Sequence, residues 1–165
     1  VIKDNSKLTC RITGLEDRSP TRFVLDKQLK IPIDSYIVKS AKKYSTIIFF
    51  NTINTKKIYH LKKLKIKLIR STINKNGQFN LKDILKKIKL LGYSRILLES
   101  GLKLTTNFLR ENLIDDFYIF VSNKKLGING RNNFKNNMKL FFNNKKFSEE
   151  KVNLFGDRLI SYRIK

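Results

Sequence analysis

Thr46-Ile47-Ile48-Phe49-Phe50 is an unbroken stretch without a charged side chain, and its reading decides the fold. A strand with one face in water alternates apolar and polar residues. A continuous apolar run of this length instead predicts a strand covered on both faces, as in a parallel sheet between helices. The flanks agree. Upstream, Arg22-Phe23-Val24-Leu25 is a second short strand, ended by Asp26. Downstream, residues 55–64 are basic and amphipathic and predict a helix with Thr55 near its N-cap, and residues 66–69 predict the next strand.

Further along, Asn74-Lys75-Asn76-Gly77 is a turn signal. Asn80 then caps a helix whose apolar residues Leu81, Ile84, Leu85, Ile88 and Leu91 share one face. Gly92 stands where a left-handed residue closes that helix. Arg95-Ile96-Leu97-Leu98-Glu99 predicts a strand, Gly101 a turn, and residues 102–112 another helix. Residues 117–121 predict a strand, a loop follows with Gly127 and Gly130, and residues 129–146 are an Asn- and Lys-rich loop. Residues 152–155 and 159–163 predict a closing hairpin that turns at Gly156-Asp157. The β-α-β-α-β order implies an α/β fold: a mostly parallel sheet, helices on both faces, right-handed crossovers and a C-terminal antiparallel hairpin. With 165 residues and neither repeat nor linker, the chain reads as one domain, 1–165.

The formal net charge of +23 invites a nucleic-acid reading, because a basic surface gains affinity for polyanions by counterion release. Lys, however, outnumbers Arg about threefold, and residues selected to clamp phosphate favour the planar fork of Arg. Together with the richness in Ile and Asn, this is what a compositional bias produces, spread over the surface without regard to function. Anionic ligands remain favoured, phosphorylated ones among them. Cys10 is alone and His60 is alone, which excludes, within one chain, a disulfide, a His-paired or Cys-based metal site and a Ser-His or Cys-His nucleophile. No apolar run is long enough to span a membrane, and the start carries no signal-peptide pattern, so a cytoplasmic protein is expected.

In an open α/β sheet, ligands bind beyond the carboxyl ends of the strands. The segment from Ile96 to Gly101 supplies the parts of such a site. An apolar strand delivers Glu99 to the sheet edge, and Gly101 lets a ligand approach the backbone. A helix starting near Leu102 points its free N–H groups and positive dipole end at the same space, which suits a phosphate or pyrophosphate. Lys103, Thr105 and Thr106 add side-chain donors. Read locally, this is a generic anion-binding corner. Asp115-Asp116 reads as a helix-to-strand connection, His60 as a surface residue and Cys10 as a small packed side chain.

Six ordered segments make the reading more specific. Asp4-Asn5-Ser6-Lys7-Leu8-Thr9-Cys10-Arg11 resembles the D-[DN]-P-x-L-[TN]-x-R segment of the riboflavin-biosynthesis reductases, the C-terminal domain of the bifunctional deaminase–reductase. Arg22-Phe23-Val24-Leu25-Asp26 is similar to that family's R-[IV]-V-[IL]-D, and Glu99-Ser100-Gly101 to its E-[GA]-G-P-T turn. Phe108-Leu109 with Leu113-Ile114-Asp115-Asp116, Lys125-Leu126-Gly127, and Gly156-Asp157 with Tyr162-Arg163 continue the match in order.

The resemblance implies a dihydrofolate-reductase-like fold, NADPH as cofactor and a homodimer. It also implies reduction of the ribosylamino group of 5-amino-6-(5-phosphoribosylamino)uracil to the ribitylamino form, and it allows for a deaminase domain upstream. It assigns Asp4, Lys27 and the stretch Gly101, Leu102, Lys103, Leu104, Thr105, Thr106 and Asn107 to the cofactor. Leu8 and Arg11 go to the substrate, with Arg11 near its phosphate. Glu99 goes to the reacting end as a catalytic and substrate-binding carboxylate, with Asp4 beside it in the catalytic set. Departures from the pattern are Ser100-Gly101-Leu102-Lys103 for the commoner Gly-Gly-Pro-Thr and Lys27 where the family often has Ser. The family's first strand and helix have no counterpart after Val1, so the chain reads as a reductase lacking them. Two alternatives stay open: a same-fold NADPH reductase for another substrate, of dihydrofolate type, and a non-catalytic basic nucleic-acid-binding module.

Overall fold

The computed structural model describes residues 4–124, 141–142, 145–152 and 155–165. The chain divides into two compact units, Val1–Ser94 and Arg95–Lys165.

In the first unit, β1 (Arg22–Leu25), β2 (Thr46–Phe50) and β3 (Lys67–Arg70) lie parallel in that order. Phe23 sits beside Ile47, and Ile48 beside Leu68. Central β2 is buried along its whole length, as its continuous apolar run predicts. Successive side chains of a strand point to opposite faces, and the core divides accordingly. Val24, Ile48 and Phe50 pack with Ile37 and Val38 of α1 (Tyr36–Lys39) and Leu61 of α2 (Thr55–Lys63). Ile47 and Phe49 pack with Ile84 and Ile88 of α3 (Leu81–Leu90). Helices therefore cover both faces, and burying each large apolar side chain contributes about 1.5–3 kcal/mol.

The helix ends follow local chemistry. Asn80 Oδ1 accepts from Asp83 N at 3.1 Å, and Gly92 closes α3 at φ +92°. The cap of α2 is Asn54 rather than Thr55, its Oδ1 accepting from Lys57 N. At the start of α3, the Asp83 carboxylate accepts from Thr72 N, Thr72 Oγ1 and Lys87 Nζ. Lys87 also reaches Arg70 O and Ser71 Oγ, which fastens the end of β3 to α3.

In the second unit, α4 (Leu102–Arg110) is followed by β4 (Asp116–Val121), β5 (Phe147–Glu150) and β6 (Arg158–Arg163). These strands are antiparallel in the order β4-β6-β5. Two expectations need correction. Residues 95–99 form no strand; Leu97 is 80% exposed and Ile96 44%. Apolar content gives a segment the propensity for a strand, but a strand exists only where a second one supplies the hydrogen-bonded ladder. Among the described residues the strand that pairs with β6 ahead of the turn is Phe147–Glu150; of the arm expected at 152–155, Val152 and Phe155 lie outside any strand and residues 153–154 lie outside the described residues. In β5, Ser148, Glu149 and Glu150 are exposed at the edge of the sheet, so the apolar alternation that marks a half-buried strand is missing. The turn itself comes where expected, with Phe155 and Gly156 both at positive φ. Residues 125–127, Gly130 and most of the expected loop at 129–146 lie outside the described residues, as do residues 153–154. Among the described residues no helix is long and apolar enough to cross a membrane.

Candidate functional site

At the carboxyl ends of the parallel strands, polar side chains lace the chain together. Asp26 follows β1 and accepts from Lys30 N at 2.9 Å and Ile31 N at 2.7 Å, turning the chain back. Asn51 follows β2; its N–H donates to Lys27 O, and its Nδ2 donates to Ser71 O at 2.7 Å. Lys27 Nζ donates to Gly77 O at 2.6 Å, fixing the 74–77 turn over the same edge. One ammonium proton is thus committed to the fold.

The segment from Asp4 to Arg11 is held from several sides. Asn5, at φ +42°, accepts from Tyr36 N at 2.8 Å through its side-chain oxygen. Lys7 O accepts from Arg22 Nη1 at 3.1 Å. Leu8, at φ +51°, packs against the core on the α1 and α2 face. Cys10 N donates to Ser19 Oγ at 3.1 Å. The left-handed region costs a leucine about 1–2 kcal/mol, so these neighbours enforce the turn. Asp4 and Arg11 are exposed and have no ion pair or hydrogen bond among the described residues.

In the second unit, Glu99 is exposed and Ser100 Oγ lies 2.9 Å from Thr105 Oγ1, bracing the turn into α4. Gly101 is the N-cap and brings no side chain to the first amides. Its φ of −68° suits any residue, and a Cβ there would meet nothing within 4 Å. Nothing in the packing of the described residues therefore demands glycine. Along α4, Lys103 is exposed and Leu102, Leu104, Thr105 and Asn107 are half-buried. Thr106 is buried with Phe108 and Leu109 on the inward side. Asp115 joins α4 to β4, its carbonyl accepting from Ile164 N, and Asp116 opens the strand.

The family model of the RibD C-terminal domain matches residues 1–160. The chain belongs to this family. RibD of Aquifex aeolicus, named a riboflavin biosynthesis protein, is 35% identical over 127 residues, 77% of this chain and 33% of its own length. RibD of Actinobacillus pleuropneumoniae is 28% identical over the same shares. The chain spans about a third of the length of these curated relatives. Among solved structures, Acinetobacter baumannii RibD aligns with a TM-score of 0.66 at 19% identity, over 99% of this chain and 44% of that one. A pyrimidine reductase-like protein from Corynebacterium diphtheriae aligns with a TM-score of 0.68 at 13% identity, over 98% and 71%. These likenesses show the mixed α/β fold.

Within this RibD-type domain, the structure groups Asp4, Leu8 and Arg11 on one braced segment of the first unit, with Lys27 at the carboxyl end of β1. It groups Glu99 and residues 101–107 at the start of α4 in the second. Sequence reasoning missed Arg22. It opens β1 with its side chain 2% exposed, where a cation at a strand end is ordinarily solvated. It also missed Asn5 as a cap for Tyr36 N and Asn51 as the link between strand ends. The Asn5 contact joins residues 31 apart, so no local pattern contains it.

Proposed function

We propose that this chain is the reductase part of a riboflavin-pathway enzyme, reducing 5-amino-6-(5-phosphoribosylamino)uracil to the ribitylamino form with NADPH. The observation that carries the reading is Gly101: a glycine that the packing of the described residues does not need, placed at a helix start without a side-chain cap in a chain of the RibD family. Such a position is useful where a ligand's phosphate comes against the backbone.

When bound, NADPH supplies hydride to C1′ of the substrate after its sugar opens to an imine. The chain's own residues bind and orient. The first amides of α4 and the side chains from Lys103 to Asn107 hold the pyrophosphate, and Lys27 offers its remaining protons to the 2′-phosphate. Arg11 holds the substrate phosphate by charge-assisted hydrogen bonds, and Leu8 gives the substrate an apolar surface. Asp4, on the same segment, serves the cofactor in this reading. Glu99 accepts a hydrogen bond from the substrate and favours the positive charge that develops on the opening imine.

The distribution of lysines supports a small anionic ligand over a nucleic acid. Lys56, Lys62 and Lys63 of α2 and Lys82, Lys86 and Lys89 of α3 are exposed over opposite faces of the parallel sheet, so they make no single basic face. A second copy of the chain as partner, and a deaminase domain in the remainder of a RibD-length protein, belong to the same reading.

The test is to titrate the purified chain with NADPH and with NADH, then add the phosphoribosylaminopyrimidine and follow the reduced cofactor's absorbance. Preference for NADPH and loss of absorbance on adding substrate are expected. Absence of NADPH binding, both here and in a version extended upstream of Val1, overturns the proposal.

A further inference from the structure

Arg22 is the most heavily bonded buried cation described in the first unit, and the reaction proposed above makes no use of it. Its guanidinium donates from all three nitrogens: Nε and Nη2 to Thr46 Oγ1, Nη2 also to Ile37 O and Tyr44 O, and Nη1 to Ser40 Oγ and Lys7 O. The Tyr44 ring lies 5.4 Å from its charge. Every acceptor is a carbonyl or a hydroxyl. A buried guanidinium needs its donors matched, and here they are, without a carboxylate. Burial lowers its pKa below the ordinary arginine value, an effect that Tyr36 and Tyr44 only partly offset.

Four of these acceptors belong to α1, the turn after it and β2, which pack together through apolar contacts as well. The fifth is different. Lys7 O precedes Leu8, the leucine at φ +51°, and it belongs to the Asp4–Arg11 segment, whose Arg11 is exposed. Arg22 is thus a bolt from the rigid sheet into a strained turn. The Asp4 end of that segment has its own fastening, the Asn5 side chain on Tyr36 N.

We infer that Arg22 is the positioning residue of the substrate half of the site: by holding Lys7 O it fixes the Leu8 turn and the aim of Arg11 at the substrate's phosphate. This rests on the assignment of Leu8 and Arg11 proposed above. A lysine in its place keeps the charge but offers a point donor instead of a planar fork, and cannot hold Lys7 O and Thr46 Oγ1 together.

The experiment compares the wild-type chain with Arg22→Lys and Arg11→Ala, using ribose 5-phosphate as probe for the substrate half and NADPH for the cofactor. Arg22→Lys is expected to weaken ribose 5-phosphate at least tenfold and NADPH less than threefold. The Cys10 amide, bonded to Ser19 Oγ, should exchange at least tenfold faster while Ile48 and Phe49 amides stay within twofold. Equal losses of both ligands, or equal acceleration of Cys10 and the β2 amides, reduce Arg22 to a general stabiliser and overturn the inference. Should Arg22→Lys fail to fold, Ser40→Ala removes one acceptor of Nη1 and must show the same preferential loss; its absence there also overturns the inference. Arg11→Ala separates the two levels. If it leaves ribose 5-phosphate binding unchanged, the underlying assignment falls; if it weakens binding while Arg22→Lys does not, only the role of Arg22 falls.

Discussion

Replacing Gly101 by alanine is expected to leave the fold almost unchanged and to weaken NADPH by ten- to a hundredfold. The stability side follows from the backbone. At φ −68° and ψ 164° alanine is unstrained, and its Cβ meets nothing within 4 Å. Stiffening the unfolded chain adds about 0.4–1 kcal/mol. Alanine is a poorer N-cap than glycine by a similar amount, so the two effects offset within about 1 kcal/mol. For a chain of this size that is a Tm change of roughly 2–4 °C at most. The cofactor side has no such offset. A phosphate oxygen resting on Cα must retreat by roughly the 1.5 Å of a carbon–carbon bond. That removes it from the first amides of α4, whose charge-assisted hydrogen bonds contribute about 1.5–3 kcal/mol each. The assay is a fluorescence titration with NADPH beside a thermal melt of the same sample. An affinity within twofold of wild type refutes the reasoning, because Gly101 would then face no ligand; a large fall in Tm refutes it from the other side.

Glu99→Gln keeps the size of the side chain but not its charge, and is expected to lower turnover about a hundredfold with NADPH affinity within twofold, read by steady-state kinetics and direct titration. The Asp83 carboxyl has a folded pKa below its ordinary value: burial raises it, but hydrogen bonds from Lys87 and Thr72 outweigh that. A depressed carboxyl pKa stabilises the fold above the unfolded value of about 4 and loses that contribution as pH falls through the folded value. Asp83→Asn is therefore expected to cost about 1 kcal/mol at pH 7 in urea denaturation, the difference from wild type shrinking below about pH 4. Phe49→Ala, at a fully buried ring between β1 and α3, is expected to cost about 3–5 kcal/mol by the same assay.

Much of the first unit was legible. The run at 46–50 is a buried central strand, Asn80 is a cap, Gly92 is a left-handed stop, and Arg22–Leu25 is a strand with the bounds read from its pattern. The second unit was harder to read. Residues 95–99 have the composition of a strand without forming one, and β5 forms one from Phe147, Ser148, Glu149 and Glu150, three of them polar. The segments that carry the family resemblance were visible as a series, and the family match over residues 1–160 agrees with them.

The sequence by itself determined the parallel β-α-β pattern of the first unit and both ends of α3, because capping, periodicity and turn chemistry act between residues a few positions apart, and its ordered segments determined the family. The tertiary structure alone decided which apolar segments find a ladder and where the polar groups of Arg22, Asn5 and Asn51 are satisfied. For those polar groups the partners are 15 to 31 residues away along the chain, and for the β4–β6 ladder 37 to 47, brought into hydrogen-bond range only once each unit has packed.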